Sequence, residues 1–406
     1  MSEKTQYYLG LEEQYGAHNY HPVPVVLNKG KGVYVWDVDG KRYYDFLSGY
    51  SAVNQGHCHP RILQAFMEQA QQLTLTSRAF HSDQLGDYAK YITAYFGYDK
   101  VLPMNTGVEA VETGIKLCRR WAYQVKGVDE NKAVIIVCEG NFHGRTSTVI
   151  SFSSDPSSKK NFGPYMPGFV AIPFNDTKAL AKALEDKNVA GFLVEPIQGE
   201  AGVVIPDEGY LAKAKAMCEE ANVLFIADEI QTGLARTGKM LACDHESVRP
   251  DILLLGKALS GGMMPVSAVL ADDEIMLTIR PGEHGSTYGG NPLACRVAIE
   301  SLQVLKDEKM AENAAAMGKL LRDELRKSGH PSVSMVRGKG LLNAIVIQHH
   351  NKDAAWELCM QLKENGLLAK PTHGDKIRFA PPLTITREQV LEAAGIINSS
   401  LSVLSV

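Results

Sequence analysis

The sequence predicts an α/β fold in which a mostly parallel sheet is covered by helices. Between residues 105 and 270 of the 406-residue chain, short apolar runs alternate with amphipathic segments. These apolar runs are continuous, which is typical of strands buried on both faces of a parallel sheet. After residue 296 the pattern changes to long helices followed by two strand-like runs, which predicts a smaller α+β domain.

The first predicted element is a β-hairpin. Residues 32–46 (GVYVWDVDGKRYYDF) alternate apolar and polar side chains around Asp39-Gly40, a dipeptide that favours a tight turn. Neither the N-terminal segment, residues 1–48, nor the C-terminal small domain, residues 296–406, carries much core sequence alone. We therefore expect these two parts to pack together, and residues 49–295 to form the large domain.

The large domain contains four predicted strands, in the runs AVIIVCEG, AGFLVEP, VLFIADE and DILLLGK. Amphipathic segments such as YLAKAKAMCEEAN, residues 210–222, separate them and are predicted to be helices. Ligands of open α/β sheets bind at the carboxyl ends of the strands. The polar residues that end three of these runs, Glu195, Asp228 and Lys257, are therefore candidate functional residues.

Composition argues against several classes of function. The net charge of −4 and the lack of basic runs interleaved with aromatic residues argue against nucleic-acid binding. No apolar stretch approaches the roughly 18 residues of a membrane span. The seven scattered cysteines never form C-x-x-C, and the first residues lack a signal or transit pattern, so we expect a cytoplasmic protein with reduced thiols. The cluster His57-Cys58-His59 has no second ligand pair, and we expect no metal site.

One motif suggests a rival function. Residues 233–240 (GLARTGKM) match the phosphate-loop pattern of nucleotide hydrolases except at the last position, where Met240 replaces the hydroxyl that holds Mg²⁺. Asp228-Glu229 also lie between the strand and this segment. These departures argue against a nucleotide hydrolase, and no G-x-G-x-x-G follows a strand to support a dinucleotide-dependent oxidoreductase.

Asp228 and Lys257 together fit the needs of one cofactor, pyridoxal phosphate. A buried carboxylate needs a cationic partner, and a buried amine is a useful nucleophile toward a carbonyl. The cofactor's aldehyde forms a Schiff base with a lysine, and its ring nitrogen stays protonated beside an anion. Residues 104–109 (MNTGVE) open an amphipathic helix whose N–H groups could bind the phosphate, although an ordinary capped helix would show the same pattern.

Longer strings carry a resemblance to a known family. NTGVEAVETGIK, NFHGRT, VEPIQGEAGV, FIADEIQTGLARTG, LLLGKALSGG and HGSTYGGNPLAC resemble class III, fold-type I pyridoxal-phosphate aminotransferases. GLLAKPTHGDKIRFAPPL adds a resemblance to members that act on L-ornithine. The resemblance runs from YGAHNYHPVPVVL to IRFAPPL, nearly the whole chain. It implies a homodimer or larger homo-oligomer with shared active sites and a ping-pong transfer of the ornithine δ-amino group to 2-oxoglutarate, with pyridoxal phosphate as cofactor.

The resemblance also assigns roles at the cofactor. Lys257 would bind the cofactor covalently and carry protons, and Asp228 would pair with the ring nitrogen. Phe142 would stack on the ring, although it could equally be a core residue. The remaining expected cofactor contacts are Gln231 at the ring hydroxyl, Gly107 and Val108 at the phosphate, and Ser286 and Thr287, of which Thr287 would act from the neighbouring subunit.

For substrate binding the resemblance points to five residues. Tyr20 and Arg145 would hold the α-amino acid end of ornithine, with Arg145 on its carboxylate, and Tyr50 would line the same pocket. Arg378 would bind the α-carboxylate of 2-oxoglutarate. Glu200 would mask Arg378 while ornithine is bound and release it for the keto acid, although a fixed structural salt bridge is an equal alternative.

Several alternatives remain open within this family. Acetylornithine or 4-aminobutyrate aminotransferase is the runner-up, and Tyr20 argues against it because it would crowd an acetyl group. An aminomutase would share the lysine but need no keto acid. A non-catalytic binding protein is disfavoured because Lys257 and Asp228 are both present. His143 stands where a tryptophan is expected in animal relatives, which we expect to alter the surroundings of the ring and not the reaction class.

Overall fold

A computed structural model describes residues 1–404. Its strands are β1 (Leu27–Lys31), β2 (Tyr34–Asp37), β3 (Arg42–Asp45), β4 (Lys100–Met104), β5 (Val134–Cys138), β6 (Phe169–Ile172), β7 (Val189–Val194), β8 (Leu224–Asp228), β9 (Ile252–Leu255), β10 (Ser267–Ala271), β11 (Val333–Lys339), β12 (Leu342–Ile347), β13 (Leu367–Leu368), β14 (Lys370–Thr372) and β15 (Lys376–Phe379). Its helices are α1 (Glu3–Tyr15), α2 (Ser48–Ser51), α3 (Pro60–Ala70), α4 (Asp83–Phe96), α5 (Gly107–Trp121), α6 (Ser147–Ser151), α7 (Pro156–Lys159), α8 (Thr177–Ala183), α9 (Tyr210–Glu220), α10 (Asp273–Met276), α11 (Pro292–Asp307), α12 (Met310–Lys327), α13 (Ala354–Glu364) and α14 (Arg387–Ser400).

The central sheet has seven strands in the order β4-β10-β9-β8-β7-β5-β6. Strands β9, β8, β7, β5 and β6 pair in parallel, whereas β10 pairs antiparallel with both β9 and β4. The predicted mostly parallel sheet is therefore confirmed. All residues of β7, β8, β9 and β10 are buried, as their continuous apolar runs predicted.

Helix α5 packs on this sheet and fixes the position of its own N-terminus. Its buried side chains include Ile115, Leu117 and Trp121. Gly114 permits the close approach, since a Cβ there would lie 3.0 Å from Cδ2 of Leu254 in β9. The helix therefore begins at the edge of the sheet where β8 and β9 end.

The N-terminal and C-terminal parts of the chain meet in a smaller sheet. Strands β2 and β3 form the predicted hairpin, and β13 from the C-terminal part pairs in parallel with β3. A further four-stranded sheet has the order β11-β12-β15-β14. The predicted domain bounds remain predictions, and helix α11 runs without interruption across the proposed boundary after residue 295.

No helix within residues 1–404 is long and apolar enough to cross a membrane. Over the same range, no group of three His, Cys, Asp or Glu side chains is placed to hold a metal ion. In the cluster around residue 58, His57 Nε2 lies 2.7 Å from Asp45 Oδ2 and His59 Nε2 lies 3.0 Å from Glu308 Oε1. Each of these two histidines thus bonds a different carboxylate.

Candidate active site

The three predicted strand-end residues meet at one cavity. Strands β7, β8 and β9 are parallel neighbours, so Glu195, Asp228 and Lys257, which end or follow them, lie at the same edge of the sheet. Lys257 has a left-handed backbone, with φ of 46°, directly after the extended Gly256. The cavity has a volume of about 190 Å³ and is lined by Gly107, Val108, Phe142, His143, Gly144, Glu195, Asp228, Ile230, Gln231 and Lys257.

Asp228 is a buried carboxylate held by two protein donors. Its Oδ1 accepts the Ile230 backbone N–H at 3.1 Å, and its Oδ2 lies 2.7 Å from His143 Nδ1. Because a carboxylate only accepts hydrogen bonds, the ring proton of His143 lies on Nδ1. Burial alone lowers the pKa of His143, but its hydrogen bond to Asp228 and the charge of that carboxylate outweigh burial and raise the pKa. These two hydrogen bonds fix the Asp228 carboxyl group at the wall of the cavity.

Lys257 has the properties of a nucleophilic amine. Removal from water lowers its pKa, while the charges of Glu200 and Asp228 oppose this shift. A lower pKa increases the fraction of neutral amine, which is the form that attacks a carbonyl. Lys257 can therefore bond an aldehyde in the cavity.

The N-terminus of helix α5 borders the same cavity. A capping box joins Thr106 and Glu109: the Glu109 carboxylate accepts the Thr106 N–H at 2.6 Å, and the Thr106 hydroxyl accepts the Glu109 N–H at 3.4 Å. This leaves the N–H groups of Gly107 and Val108 without a hydrogen-bond partner among residues 1–404. Free amides at a helix N-terminus favour phosphate. Gly107 also keeps this end open, since a Cβ there would lie 3.0 Å from Ile230 Cγ2.

These donors and acceptors fit pyridoxal phosphate. Asp228 would pair with the ring nitrogen, Lys257 would bond the aldehyde, and the amides of Gly107 and Val108 would bind the phosphate. The carboxylate and the amine occupy adjacent strand ends, as the sequence predicted.

The loop after β5 supplies one wall of the cavity. Glu195 Oε1 accepts the Phe142 backbone N–H at 2.8 Å. Burial raises the pKa of Glu195 to about 7, with the nearby His143 charge lowering it and Asp228 raising it. Gly144 has φ of 125° and no room for a side chain, because a Cβ would lie 2.4 Å from Val108 Cγ2. The loop is therefore fixed both by a carboxyl group and by direct packing on helix α5.

A buried arginine lies beside this cavity. Arg378 in β15 donates from Nη1 to Glu200 Oε1 at 2.7 Å, and the Gln231 amide donates to the same oxygen at 3.0 Å. The guanidinium carbon lies 5.2 Å from the centre of the Tyr50 ring. Burial raises the pKa of Glu200, but the charge and hydrogen bond of Arg378 outweigh burial and lower it. Glu200 is thus an ionised partner that occupies Arg378.

The other predicted substrate residues are more open to solvent. Arg145 is exposed, with its guanidinium carbon 5.5 Å from the centre of the Phe142 ring. Tyr20 is 65% exposed, and Lys370 Nζ lies 5.9 Å from its ring centre. Both residues therefore have surface open to an incoming molecule.

The structure places the remaining predicted cofactor residues outside the cavity of their own chain. Ser286 Oγ accepts a hydrogen bond from Asn105 Nδ2 at 2.8 Å, next to the start of helix α5. Thr287 is exposed and does not line the cavity. A role at the cofactor of a neighbouring subunit remains a prediction for Thr287.

The phosphate-loop motif of residues 233–240 has a different role. Its Arg236 is fully buried and donates to Asn54 Oδ1 at 2.6 and 3.1 Å, to Leu341 O at 3.0 Å and to Pro381 O at 2.6 Å. Only a four-residue turn, Cys243–Glu246, follows the motif, so it does not open the helix that a phosphate loop requires. The segment joins distant parts of the chain through the hydrogen bonds of Arg236.

Comparison with known proteins decides the family. Residues 15–401 match the family Aminotransferase class-III. The chain belongs to the class-III aminotransferase family. It is a pyridoxal-phosphate-dependent aminotransferase, in agreement with the groups that line its cavity.

Individual relatives of this class-III aminotransferase cover nearly its full length. The mitochondrial ornithine aminotransferase of Rattus norvegicus is 62% identical over 397 residues, which are 98% of this chain and 90% of the rat protein. The ornithine aminotransferase structure from Toxoplasma gondii has a TM-score of 0.97 at 50% identity, covering 98% of this chain and 94% of that one. The acetylornithine aminotransferase structure from Elizabethkingia anophelis has a TM-score of 0.90 at 56% identity, covering 98% and 99%. These neighbours confirm the predicted fold-type I architecture.

Sequence reasoning missed three features of this aminotransferase site. It noted His143 as a departure but not its bond to Asp228, and it noted Glu195 as a strand end but not its bond to Phe142. It did not consider Gly144, although a glycine directly before Arg145 was a visible signal for close packing. The strand-end rule placed Glu195 at the ligand-binding edge together with Asp228, but it gave no role to its carboxyl group.

Proposed function

We propose that this class-III aminotransferase transfers the δ-amino group of L-ornithine to 2-oxoglutarate, giving glutamate 5-semialdehyde and glutamate. The observation that carries this proposal is the ion pair of Arg378 with Glu200, 2.7 Å apart, beside the cavity that contains Lys257. The semialdehyde would cyclise to pyrroline-5-carboxylate, which places the reaction between arginine and proline metabolism.

Asp228 and Lys257 would have different roles in the reaction. When bound, pyridoxal phosphate supplies a protonated ring that takes up negative charge from the carbon bearing the amine. Asp228, held by His143 and the Ile230 amide, would place its carboxylate beside the ring nitrogen. The Lys257 amine removes a proton from the δ-carbon of ornithine, and its lowered pKa favours the neutral form that accepts this proton.

The far end of ornithine would bind at the open side of the site. Arg145 would bind the α-carboxylate through two parallel hydrogen bonds, from a guanidinium that lies 5.5 Å from the centre of the Phe142 ring. Tyr20 would contact the free α-amino group, and Tyr50 would line the wall between the two ends.

Glu200 would separate the two half-reactions. While it pairs with Arg378, the arginine is occupied and an α-amino acid has no carboxylate partner near Lys257. For 2-oxoglutarate, Glu200 would release Arg378 so that the guanidinium binds the α-carboxylate. A paired arginine therefore discriminates against the wrong amine and still serves the keto acid.

A second candidate substrate is N-acetylornithine. It is favoured by one observation, the 56% identity to the Elizabethkingia anophelis protein named acetylornithine aminotransferase. Tyr20 argues for ornithine because its ring would crowd an acetyl group.

The test is a set of single half-reactions without keto acid. Purified enzyme is mixed separately with L-ornithine, N-acetylornithine and 4-aminobutyrate, and the absorbance of the lysine-bound cofactor is followed. The proposal predicts that only L-ornithine removes this absorbance quickly and that 2-oxoglutarate restores it. A faster reaction with N-acetylornithine or 4-aminobutyrate would refute the substrate assignment while leaving the family unchanged.

We further propose that the enzyme is a homodimer or larger homo-oligomer and works in the cytoplasm. Support for the first point is the exposed Thr287, which would reach the phosphate of a neighbouring subunit. Support for the second is that all seven cysteines are unpaired, which suits a reducing compartment. Light scattering and fractionation of the source cells test these two points.

A further inference from the structure

Glu200 lies in a short hairpin that has its own attachments to the rest of the protein. Gln198 and Val204 form an antiparallel bridge with hydrogen bonds of 3.1 and 3.0 Å. The Gly202 and Val203 N–H groups both donate to Gly199 O, at 3.1 and 3.2 Å. These bonds close a tight tip with Glu200 at its start, and Gly202 adopts a φ of 95° there.

Two backbone carbonyl groups of this tip are held by side chains of the C-terminal sheet. The Thr372 hydroxyl donates to Glu200 O at 2.8 Å, and Arg337 Nε donates to Gly202 O at 2.9 Å. Thr372 ends β14 and Arg337 lies in β11, the two edge strands of that sheet. The hairpin therefore spans the sheet from one edge to the other.

The strand register places these contacts on one face of the sheet. Arg337 pairs with Ala344, which pairs with Arg378, so the two arginines lie in one row across three strands. Thr372 pairs with Lys376, two residues before Arg378, and side chains two residues apart share a face. Arg378, the partner of the Glu200 carboxylate, thus lies on the same face as the groups that hold the Glu200 backbone.

Packing adds a third attachment between the hairpin and this face. Val203 is fully buried in a small cluster with Leu342 and Ala344 of β12. Under the tip, a Cβ on Gly202 would lie 2.3 Å from Lys376 Cδ, so the backbone rests directly on that side chain. The hairpin has little freedom to separate from the sheet.

We propose that Thr372 and Arg337 are positioning residues that clamp the Glu200 hairpin to the sheet bearing Arg378, so that Arg378 is unmasked by rotation of the Glu200 side chain alone. This inference rests on the proposed function, in which Glu200 masks Arg378. Because the Glu200 backbone and Arg378 belong to one unit, any motion of that sheet keeps the pair together. The ion pair of Glu200 with Arg378 then opens only when a substrate carboxylate competes for the guanidinium.

The test compares half-reactions of the holoenzyme with L-ornithine and with L-glutamate, whose α-carboxylate needs an unmasked Arg378. The variant T372V keeps the shape and β-branching of threonine and removes the hydroxyl. We expect the ratio of kcat/KM for ornithine to that for glutamate to fall roughly threefold to tenfold, the effect of one hydrogen bond. The KM for 2-oxoglutarate should fall as well, while kcat with ornithine stays unchanged.

Three further variants make the result specific. T372S keeps the hydroxyl and should retain the ratio of the unaltered enzyme. R337M removes the second clamp and should shift the ratio in the same direction as T372V. S334A is the matched control, because Ser334 also donates to a backbone carbonyl of this sheet, Val346 O at 3.2 Å, but is exposed and makes no hydrogen bond to the hairpin tip within residues 1–404.

The variant E200Q separates failure of this inference from failure of the proposed function. A lower ratio in E200Q, T372V and R337M, with S334A unchanged, supports the clamp. A lower ratio in E200Q with T372V and R337M unchanged overturns the clamp and leaves the masking role of Glu200 intact. An unchanged ratio in E200Q overturns the masking role of Glu200, and it overturns the clamp as well because the clamp depends on that role.

Discussion

Glu195 provides a prediction in which the pH dependence of stability follows from one buried carboxyl group. The side chain is 6% exposed, and its Oε1 accepts the Phe142 N–H at 2.8 Å. The substitution E195Q keeps an oxygen that can accept this hydrogen bond and removes the ability to ionise. Any change in the pH dependence of unfolding therefore reports on ionisation and not on loss of the contact with the loop.

The magnitude follows from the pKa of Glu195, which burial raises from 4.5 to about 7. The folded state binds the proton more tightly than the unfolded state, so the stability of the unaltered protein falls as the pH rises from about 4.5 to about 7. Above that pH the loss is constant at about 3 kcal/mol, from a shift of roughly 2.5 pKa units at about 1.4 kcal/mol each. E195Q has no such loss.

The assay is urea unfolding of both proteins without added cofactor, at pH 5 and pH 8. The free energy of unfolding of E195Q relative to that of the unaltered protein should rise by about 2–3 kcal/mol between these pH values. His143 titrates in both proteins, so its contribution largely cancels in the difference. An equal difference at pH 5 and pH 8 would refute the reasoning that burial raises this pKa.

E200Q is a matched control for this experiment, because it makes the same chemical change five residues along the chain. The pKa of Glu200 is lowered, since Arg378 outweighs burial. Its contribution to stability is present above the unfolded-state pKa and is lost as the pH falls. E200Q should therefore show no gain relative to the unaltered protein between pH 5 and pH 8.

Two further predictions concern Lys257 and Arg236. Lys257→Ala should abolish turnover and the absorbance of the lysine-bound cofactor, because no other amine lines the cavity within residues 1–404; a variant that retained both would contradict the assignment. Arg236→Met should lower the free energy of unfolding by about 3–9 kcal/mol, because it leaves the buried acceptors Asn54 Oδ1, Leu341 O and Pro381 O unpaired at about 1–3 kcal/mol each. Urea unfolding measures this loss, and a cost below about 1 kcal/mol would show that water or a backbone shift replaces the guanidinium.

The sequence by itself predicted four of the seven strands of the central sheet and the polar residues at their ends, but not β4, β6 and β10. Continuous apolar runs are a local property, and their burial on both faces follows from hydrophobicity alone. The position of Asp228 and Lys257 at the ends of adjacent strands also required only the order of the runs and the rule that parallel strands end at one edge. The same local signals predicted the hairpin of β2 and β3.

Only the tertiary structure decided which side chains meet across long stretches of chain. His143 reaches Asp228 across 85 residues, and Arg378 reaches Glu200 across 178 residues. The clamp by Thr372 depends on the register of β14 with β15. A shift of one residue in that register would turn Thr372 to the opposite face, and no local pattern records such a register. Hydrophobic burial is nearly independent of direction and can be predicted from sequence, whereas hydrogen bonds depend on distance and angle and are settled only when the whole chain has folded.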